Sequence, residues 1–425
     1  MGTAPTIAIL PWGDVFHDFL DRLGVSLEEF RDEFTGSWMF GYAAALDRVG
    51  VRALIVCTTT SVRSPMRTLH APTGAGLLFL PAPPAFGALR ARALSGRLGR
   101  RRDPANVARA AAAHVAPYFG TRPVLLARHL RSENCDAILC QEYEDPRFDV
   151  CVAVGRAIGV PVFGTFQGAD YQLSKIERLL RPFTVRACAG LVVGPVGEAA
   201  RVLKRYGLPE AKVARVSNPI DVSIWRPDDR AVARAALGLP ECATIVAWHG
   251  QMQMWRKGLD VLLEAWPTVT GARPDEDIRL MLVGSGEDAG RVRGLAERNT
   301  LSRVELVDDW LHDRGRLRAI LSAADLYAFP SRHEGFPVAP LEAMACGLPV
   351  VGADAQGVRD VVGDCGLVVP RGDAGALADA LGALLDDDNR RLELGRAARL
   401  RVEEQFSLEA VGRQLRAFLV DGGQA

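Results

Sequence analysis

The sequence predicts an α/β protein with two doubly wound domains, each built on a parallel sheet. Two series of short apolar, β-rich segments alternate with segments of helical length, one before residue 217 and one after it. Strands that are too apolar to alternate in polarity, joined by crossover helices, are typical of buried parallel sheets. The length of 425 residues also exceeds what one ordinary core accommodates.

The predicted elements follow in chain order. Strands are expected at 6–10, 51–57, 136–140, 160–165, 190–194 and 212–217, and then at 243–248, 278–284, 303–307, 325–330, 348–352 and 366–370. The stretch SNPIDVSIWRPDDR (217–230) has two prolines and no periodicity, which indicates a linker. The stretch FSLEAVGRQLRAFLVD (406–421) predicts a C-terminal helix with Ser407 as its N-cap. The expected domains are therefore 1–216 and 217–405, with a terminal helical segment at 406–425.

The composition excludes some classes of function. The chain has 51 basic and 51 acidic residues, and this balance argues against a dedicated nucleic-acid binder. Its 8 cysteines form no C-x-x-C pair and several lie in apolar runs, which favours buried thiols in a reducing cytosol over disulfides or zinc. We see neither a basic leader with a long apolar stretch nor an 18-residue apolar run, so we expect no signal peptide and no membrane span.

An arginine-rich stretch runs from Arg90 to Arg102, with leucines between the basic residues. It is consistent with a solvated surface loop. Clustered arginine beside apolar anchors also suits contact with an anionic acceptor or an anionic membrane surface, which would place the protein peripherally at a membrane. The sequence leaves both interpretations open.

The stretch SRHEGFPVAPLEAMACGLPV (331–350) places Glu334 and Glu342 around a Gly-Phe-Pro turn. The preceding strand should end near Ser331, and Pro340 fits the first turn of a helix. Both acids then lie at the carboxyl edge of the sheet, where open parallel sheets bind ligands. An isolated pair of this kind is also consistent with acids that merely stabilise a helix start.

The same turn carries backbone amides that suit a phosphate. Phe336 and Val338 keep their N–H donors, which a helix N-terminus directs at an anion. Carboxylates beside a diphosphate would repel it, whereas they bind vicinal hydroxyls well. A ligand with a central diphosphate and a hydroxylated ring at each end is a nucleoside diphosphate sugar.

Two upstream strand exits support this interpretation. In IVAWHGQMQMWRKGLDVLLEAW (245–266), Gly250 permits close approach of the backbone to a ligand, and Arg256 and Lys257 offer positive charge to a departing diphosphate. The second exit is LVGSG (282–286), which contains Gly284. Taken singly, these features also fit a basic helix cap and a common glycine-rich turn.

These motifs together resemble glycosyltransferase family 4, a retaining group with the GT-B fold. The residues that carry the resemblance are 331–351, RKGLD (256–260), LVGSGED (282–288), SNPID (217–221) and GLVVPRGDAGALADAL (366–381). The resemblance covers essentially residues 210–420, and the N-terminal half shares only the rhythm of strands. It implies two Rossmann-like domains that face each other across a cleft, with a C-terminal helix crossing back to the N-terminal, acceptor-binding domain.

The resemblance also implies a mechanism and residue roles. A sugar would pass from a nucleoside diphosphate sugar to an acceptor with retained configuration, by front-face attack, with no metal ion and no cofactor. Glu342 would hold the ribose hydroxyls, Glu334 the donor sugar and Lys257 the diphosphate. The backbone around Gly335, Phe336, Pro337 and Val338 would meet the sugar and phosphates, with the N–H donors supplied by the residues other than proline. The acceptor class, whether small molecule, glycan or lipid-linked, stays open.

The sequence departs from the family pattern at two positions. An arginine usually follows the strand-exit glycine, but here Gln251 follows Gly250, and Arg256 is the candidate to replace that charge. The N-terminal domain usually offers a histidine where this chain has Gln167, which cannot take a proton. These departures motivate an alternative, a catalytically silent nucleotide-sugar binding partner; an epimerase or phosphorylase of the same architecture is a further one.

Acceptor-side candidates lie in the N-terminal half. Gly13 would permit close approach to the donor, and Glu142 with Tyr143 follows the strand at 136–140. The aromatic or imidazole side chains that would line an acceptor pocket or belong equally well to the core are Trp12, Phe16, His17 and Trp38.

Overall fold

The computed structural model describes residues 4–11, 14–18, 20–35, 38–94, 112, 115–168, 175–298, 303–307 and 313–422. They form two compact units, the first from the residues up to Val216 together with the segment from Val411 onward, the second from Ser217–Ala410. Each unit has its own mainly parallel sheet, as predicted. Within these ranges, no helix is both long enough and apolar enough to span a bilayer.

The first unit contains an eight-stranded sheet in the order β3-β4-β2-β1-β5-β6-β7-β8. Its strands are β1 (Thr6–Leu10), β2 (Arg52–Thr59), β3 (Met66–Leu69), β4 (Gly76–Pro81), β5 (Ala137–Cys140), β6 (Val162–Phe166), β7 (Gly190–Val193) and β8 (Val213–Ala214). Its helices are α1 (Val15–Asp18), α2 (Leu27–Asp32), α3 (Trp38–Arg48), α4 (Pro84–Leu94), α5 (Pro123–Ser132), α6 (Pro146–Ile158), α7 (Lys175–Ala187) and α8 (Val196–Tyr206), with short 3-10 turns at Leu20–Leu23 and Glu210–Lys212.

The sequence analysis did not predict two strands of this sheet, β3 and β4. Strand β4 pairs in parallel with β2 and is buried along its whole length, and β3 pairs with β4 in the antiparallel direction at the sheet edge. The β3 segment has only four residues and alternates between half-buried and exposed, so it carries no apolar run. Short edge strands of this kind lack the pattern on which the prediction relied.

The second unit contains a six-stranded parallel sheet in the order β11-β10-β9-β12-β13-β14. Its strands are β9 (Thr244–His249), β10 (Ile278–Val283), β11 (Val304–Val307), β12 (Leu326–Phe329), β13 (Val350–Ala353) and β14 (Gly366–Val369). Its helices are α9 (Arg230–Leu237), α10 (Leu259–Gly271), α11 (Ala289–Arg298), α12 (Arg314–Ala323), α13 (Ala339–Ala345), α14 (Val358–Val362), α15 (Ala374–Leu385) and α16 (Asp388–Arg401), followed by a π turn at Val402–Phe406.

The last helix, α17 (Leu408–Leu419), joins the first unit from Val411 onward. Phe418 packs edge-on against Phe163 with ring centroids 5.3 Å apart, and Arg416 donates to the carbonyl of Val49 at 2.6 Å. Ser407 caps the helix, as predicted, through the N–H of Ala410. The structure places the division after Ala410 rather than after 405, because Ile220 donates its N–H to the carbonyl of Phe406 and holds that segment in the second unit.

All eight cysteines are free thiols, and only Cys242 is exposed. The others lie among the apolar side chains of the two units. The predicted arginine-rich stretch is described only at its beginning: Arg90 lies 5.8 Å from the ring of Phe86, and the side chains of 91–102 lie outside the described residues.

Candidate functional site

Three neighbouring strands of the second unit end at one edge of its sheet. Strands β9, β10 and β12 are parallel neighbours, so the loops that follow them meet at the carboxyl edge. Gly250 follows β9 and Gly284 follows β10, and the N–H of Gly250 donates to the carbonyl of Val283 at 3.0 Å. The two predicted glycines are therefore brought together by the strand order.

Gly284 has no room for a side chain. Its φ is +143°, and a Cβ at this position would lie 1.9 Å from the carbonyl oxygen of Gly250. A non-glycine residue would meet both a steric clash and an unfavourable backbone conformation. Glycine at this position lets the two loop backbones touch.

The loop after β9 is anchored by methionines that the sequence analysis did not single out. Met252 and Met254 are buried, and the N–H of Met254 donates to the carboxylate of Asp288 at 2.7 Å. Gln251, which lies between Gly250 and Met252, is exposed, and Arg256 is exposed as well. The loop is thus fixed from beneath while its polar side chains face outward.

Lys257 and Glu334 form an ion pair across two strand exits. The Lys257 Nζ donates to Glu334 Oε1 at 2.7 Å, and the Glu334 carboxylate is buried while the lysine is half-buried. Gly258, with φ +67°, lets the chain turn into α10 beneath them: a Cβ there would lie 2.0 Å from the carbonyl oxygen of Pro330. Lys257 and Glu334, both predicted to serve catalysis, are therefore in direct contact.

A second ion pair holds the same two loops together. Arg332 makes a two-pronged contact with the carboxylate of Asp260, at 2.7 and 2.9 Å, and its N–H donates to the carbonyl of Arg256 at 2.9 Å. Two-pronged arginine–carboxylate contacts fix orientation as well as distance. The exposed Arg256 side chain is not part of the Lys257–Glu334 pair, so its predicted compensation for Gln251 remains a prediction.

Glu342 lies in the first turn of α13, as predicted, and contacts a histidine that sequence analysis missed. His249 Nε2 lies 2.7 Å from Glu342 Oε2, within hydrogen-bond distance. His249 is buried, and its backbone is held by the hydroxyl of Tyr327, which donates to the His249 carbonyl at 3.2 Å. The signal in the sequence was its position, the last residue of β9, directly before Gly250.

A further cation stands near Glu342. Burial lowers the pKa of Arg314, while the carboxylates of Glu342 and Asp221 oppose that shift by stabilising its charge. The Arg314 guanidinium thus adds a positive charge near the Glu342 carboxylate.

The turn between the two glutamates is tied to the predicted linker. The amide of Asn218 donates to the carbonyl of Phe336 at 3.1 Å, and the Phe336 ring packs 6.0 Å from Phe406. Val338 precedes α13, and its carbonyl accepts the N–H of Glu342 at 3.0 Å. Gly335 and Pro337 are buried beside Gly357. The predicted loop 335–338 is therefore a packed turn.

The carboxyl edge of the first unit brings together two of the residues singled out in the sequence, Gln167 and Glu142. The N–H of Gln167, after β6, donates to Glu142 Oε1, after β5. Glu142 is buried and has φ +53°, a left-handed conformation that is uncommon outside glycine and concentrates at functional sites. Gly13 lies outside the described residues. Sequence analysis missed Asp14, whose carboxylate accepts the N–H of Thr60 at 2.9 Å at the same edge.

The other acceptor-side candidates differ in how deeply they are buried. Phe16 is core, with its ring 5.8 Å from that of Phe30, whereas Trp38 is half-buried against Tyr42. Tyr143 is buried in a network with Glu198 and Arg201, and burial strongly raises its pKa. Trp12 and the side chain of His17 lie outside the described residues. Among the described residues, no group of three or more His, Cys, Asp or Glu side chains could hold a metal ion.

Solved structures share this fold over nearly the whole chain. Sucrose-phosphate synthase from Thermosynechococcus elongatus has a TM-score of 0.66 at 22% identity and covers 97% of each chain. HepE of Anabaena, solved in complex with UDP, has a TM-score of 0.70 at 15% identity and covers 98% of this chain and 100% of its own. The fold is the GT-B fold of glycosyltransferases, as predicted.

Residues 243–387 match the family described as Glycosyl transferases group 1. A GDP-mannose-dependent monoacylated alpha-(1-6)-phosphatidylinositol monomannoside mannosyltransferase of Corynebacterium glutamicum is 33% identical over 247 residues, 52% of this chain and 62% of that protein. A D-inositol 3-phosphate glycosyltransferase of Corynebacterium aurimucosum is 36% identical over 241 residues, 54% of this chain and 56% of that protein. The chain spans less than two thirds of these relatives' length.

Proposed function

We propose that the protein is a glycosyltransferase that moves a sugar from a nucleoside diphosphate sugar to a hydroxyl of an acceptor. The observation that carries the proposal is the Lys257–Glu334 pair, flanked by the His249–Glu342 pair on adjacent strand exits. One edge thus offers two carboxylates for hydroxyls and a lysine for a diphosphate. The match of residues 243–387 to a transferase family supports the same activity.

The proposed mechanism is transfer with retained configuration and without a metal ion. Lys257 would supply the positive charge that balances the departing diphosphate, a role that a divalent cation fills in other transferases. Under front-face attack the leaving phosphate oxygen accepts the acceptor's proton, so Gln167 in place of a histidine is compatible with catalysis. The protein then contributes positioning and electrostatic stabilisation.

The Lys257–Glu334 ion pair adds a step to donor binding. Lys257 and Glu334 neutralise each other at 2.7 Å, whereas the proposed roles direct the lysine at phosphate and the carboxylate at sugar hydroxyls. A donor would therefore replace this contact with two of its own. Because each group keeps a partner in both states, neither charge is left buried and unpaired.

The donor and acceptor are proposed only as classes. The relatives' names include GDP-mannose, inositol phosphate and a phosphatidylinositol mannoside, and HepE was solved with UDP, so these nucleotides and acceptors are the first to screen. Glycan and lipid-linked acceptors both remain candidates. We place the reaction in the cytoplasm, a reducing compartment, because the seven buried cysteines are all thiols.

The decisive experiment substitutes the two central residues. Lys257→Ala and Glu334→Ala should each lower transfer by about a hundredfold or more, because each removes charge or hydrogen bonding at the reacting centre. Transfer is measured by intact mass of candidate acceptors, and folding by thermal melting. Arg273→Ala is the matched control, since it removes an ion pair of the same unit, with Asp386 at 2.6 Å, remote from these loops in sequence. Near-normal transfer in both test variants would remove the assignment.

A silent nucleotide-sugar binding partner is the second candidate, favoured by the exposed Gln251 at a position where the family carries an arginine. The two functions differ in donor hydrolysis without acceptor. A transferase should hydrolyse the donor slowly and release nucleoside diphosphate. This hydrolysis should be lost in the Lys257→Ala variant. A silent binder should show a thermal shift with the donor and no hydrolysis above buffer.

A further inference from the structure

Helix α7 of the first unit has its apolar face outward. Ile176, Leu179, Leu180 and Phe183 follow one another at helical spacing, and their exposed fractions are 42%, 68%, 38% and 66%. Residues at this spacing lie on one face of a helix. We call these four side chains the α7 stripe. A contiguous exposed apolar stripe usually marks an interaction surface.

Buried polar contacts on the opposite face of α7 explain why the stripe faces outward. Arg181 is fully buried and pairs with Asp149 of α6 at 2.9 Å, and Thr184 donates to the same carboxylate at 2.5 Å. Arg181 also donates to the carbonyls of Glu144 and Asp145. Rotating the helix to bury the stripe would break these bonds and leave buried charges unpaired. The outward stripe is therefore built into the packing of the unit.

The exposed charges described on α7 and on the helices packed in series with it are all basic. Helix α6 packs against α5 and α7, and α7 packs against α8. On these four helices, the charged side chains that the structure describes as exposed are Arg128, Arg131, Arg156, Arg178, Arg186, Lys204 and Arg205. Their acids Asp149, Glu177 and Glu198 are buried. Although the chain has no net charge, these four helices thus expose basic and no acidic side chains among those described.

We propose that the α7 stripe and its basic surround form a docking surface for an anionic lipid bilayer. An apolar helix face flanked by arginine and lysine suits the boundary between headgroups and acyl chains. Each basic side chain near an anionic surface adds attraction. A second copy of this chain is a poorer occupant, because two basic surfaces would repel each other. This surface is distinct from the arginine-rich stretch of residues 90–102.

The position of α7 links this surface to the proposed function. The helix follows the loop after β6, at the carboxyl edge where Gln167 and Glu142 meet. Docking would therefore bring that edge to the bilayer, and a lipid-linked acceptor is the substrate class it would serve. This last step rests on the proposed function, whereas vesicle binding does not.

The test is co-sedimentation of the full chain with vesicles of phosphatidylcholine, with or without phosphatidylglycerol. The protein should sediment only with the anionic vesicles, and less at high salt. Leu179→Ser with Phe183→Ser should weaken this binding about thirtyfold or more, because the apolar contact is lost. Arg178→Gln with Lys204→Gln should weaken it about tenfold.

Leu392→Ser with Leu400→Ser is the matched control. These leucines are 48% and 54% exposed on α16 of the second unit, and their loss should leave vesicle binding unchanged. Thermal melting and the thermal shift with donor show that each variant is folded. Phe183→Ser alone, with an expected fivefold or so weakening, replaces the double variant should that fail to fold.

Three results would overturn the proposal. One is equal binding to zwitterionic and anionic vesicles, or no binding at all. A second is an equal loss in the α16 control. The third is a dimer in sedimentation velocity that Phe183→Ser dissociates, which would assign the stripe to a second copy. Vesicle binding by a protein without transferase activity would remove only the proposed function.

Discussion

The carboxyl edges of the two sheets hold their acids in different ways. In the second unit, Glu334 and Glu342 each contact a basic side chain, Lys257 and His249, at 2.7 Å. In the first unit, Glu142 accepts a backbone N–H from Gln167 and has left-handed backbone geometry. A carboxylate paired with a side chain can exchange that partner for a ligand. A carboxylate held by an amide is fixed in place.

The two edges also differ in the backbone conformation of their loops. The second unit brings its loops together at glycines, so Gly284 touches Gly250 without strain. In the first unit, Glu142 has a left-handed backbone conformation that glycine favours, and this conformation is strained for a glutamate. We infer that the second edge is built for close approach of a ligand to the backbone, and the first for holding one carboxylate in a set direction.

The largest expected effect tests the glycine contact. Gly284→Ala should destabilise the protein by about 3–5 kcal/mol, because its Cβ would overlap the carbonyl of Gly250 and the residue must keep a positive φ. Urea unfolding measured by tryptophan fluorescence reports this, since Trp248 and Trp266 are buried in the same unit. Gly290→Ala is the control, with open space around its Cβ and little expected change. Equal stability of the two variants would contradict the close contact.

The next effect distinguishes the units at alkaline pH. Burial raises the pKa of Cys57, Cys135 and Cys188 in the first unit, and of Cys346 in the second, from 9.0 to about 12. Since the thiols ionise earlier in the unfolded chain, their contribution to stability is complete below pH 9 and is lost as the pH rises toward 12. At about pH 10 the ionisation of each thiol in the unfolded chain should lower the free energy of unfolding by about 1 kcal/mol.

Thermal melting between about pH 8 and about pH 11 measures this loss. Cys57→Ala and Cys346→Ala should each flatten the pH dependence by one thiol's contribution. Since the first unit holds three of the four thiols, it should unfold first at high pH. A melting temperature that stays constant through this range would contradict the buried, protonated thiols.

The smallest effect separates the two edges by function. Glu342→Gln should weaken donor binding about tenfold, because it removes the charge of the His249 pair and of the proposed ribose contact. Glu142→Gln should leave donor binding unchanged and lower transfer to acceptor about tenfold. Donor titration by thermal shift and transfer by intact mass distinguish them. Equal loss of donor binding in both variants would contradict the division of roles.

Local pattern was enough to find the strand exits of the second unit. The apolar strand, the glycine after it and the proline at a helix start are signals within a few residues of one another, so Gly250, Lys257 and Glu342 were located correctly on their elements. The partner of Glu342 was not. His249 precedes it by 93 positions, and the two meet only because β9 lies beside β12 in the sheet.

The sequence by itself determined the two doubly wound units, because apolar runs of strand length and helical periodicity are local properties of the chain. Only the tertiary structure decided which way α7 faces. The sequence analysis assigned no role to the apolar residues of this helix, and the buried Arg181–Asp149 pair directs their side chains outward. Pairing of charges across helices depends on which helices become neighbours, and no local pattern carries that information.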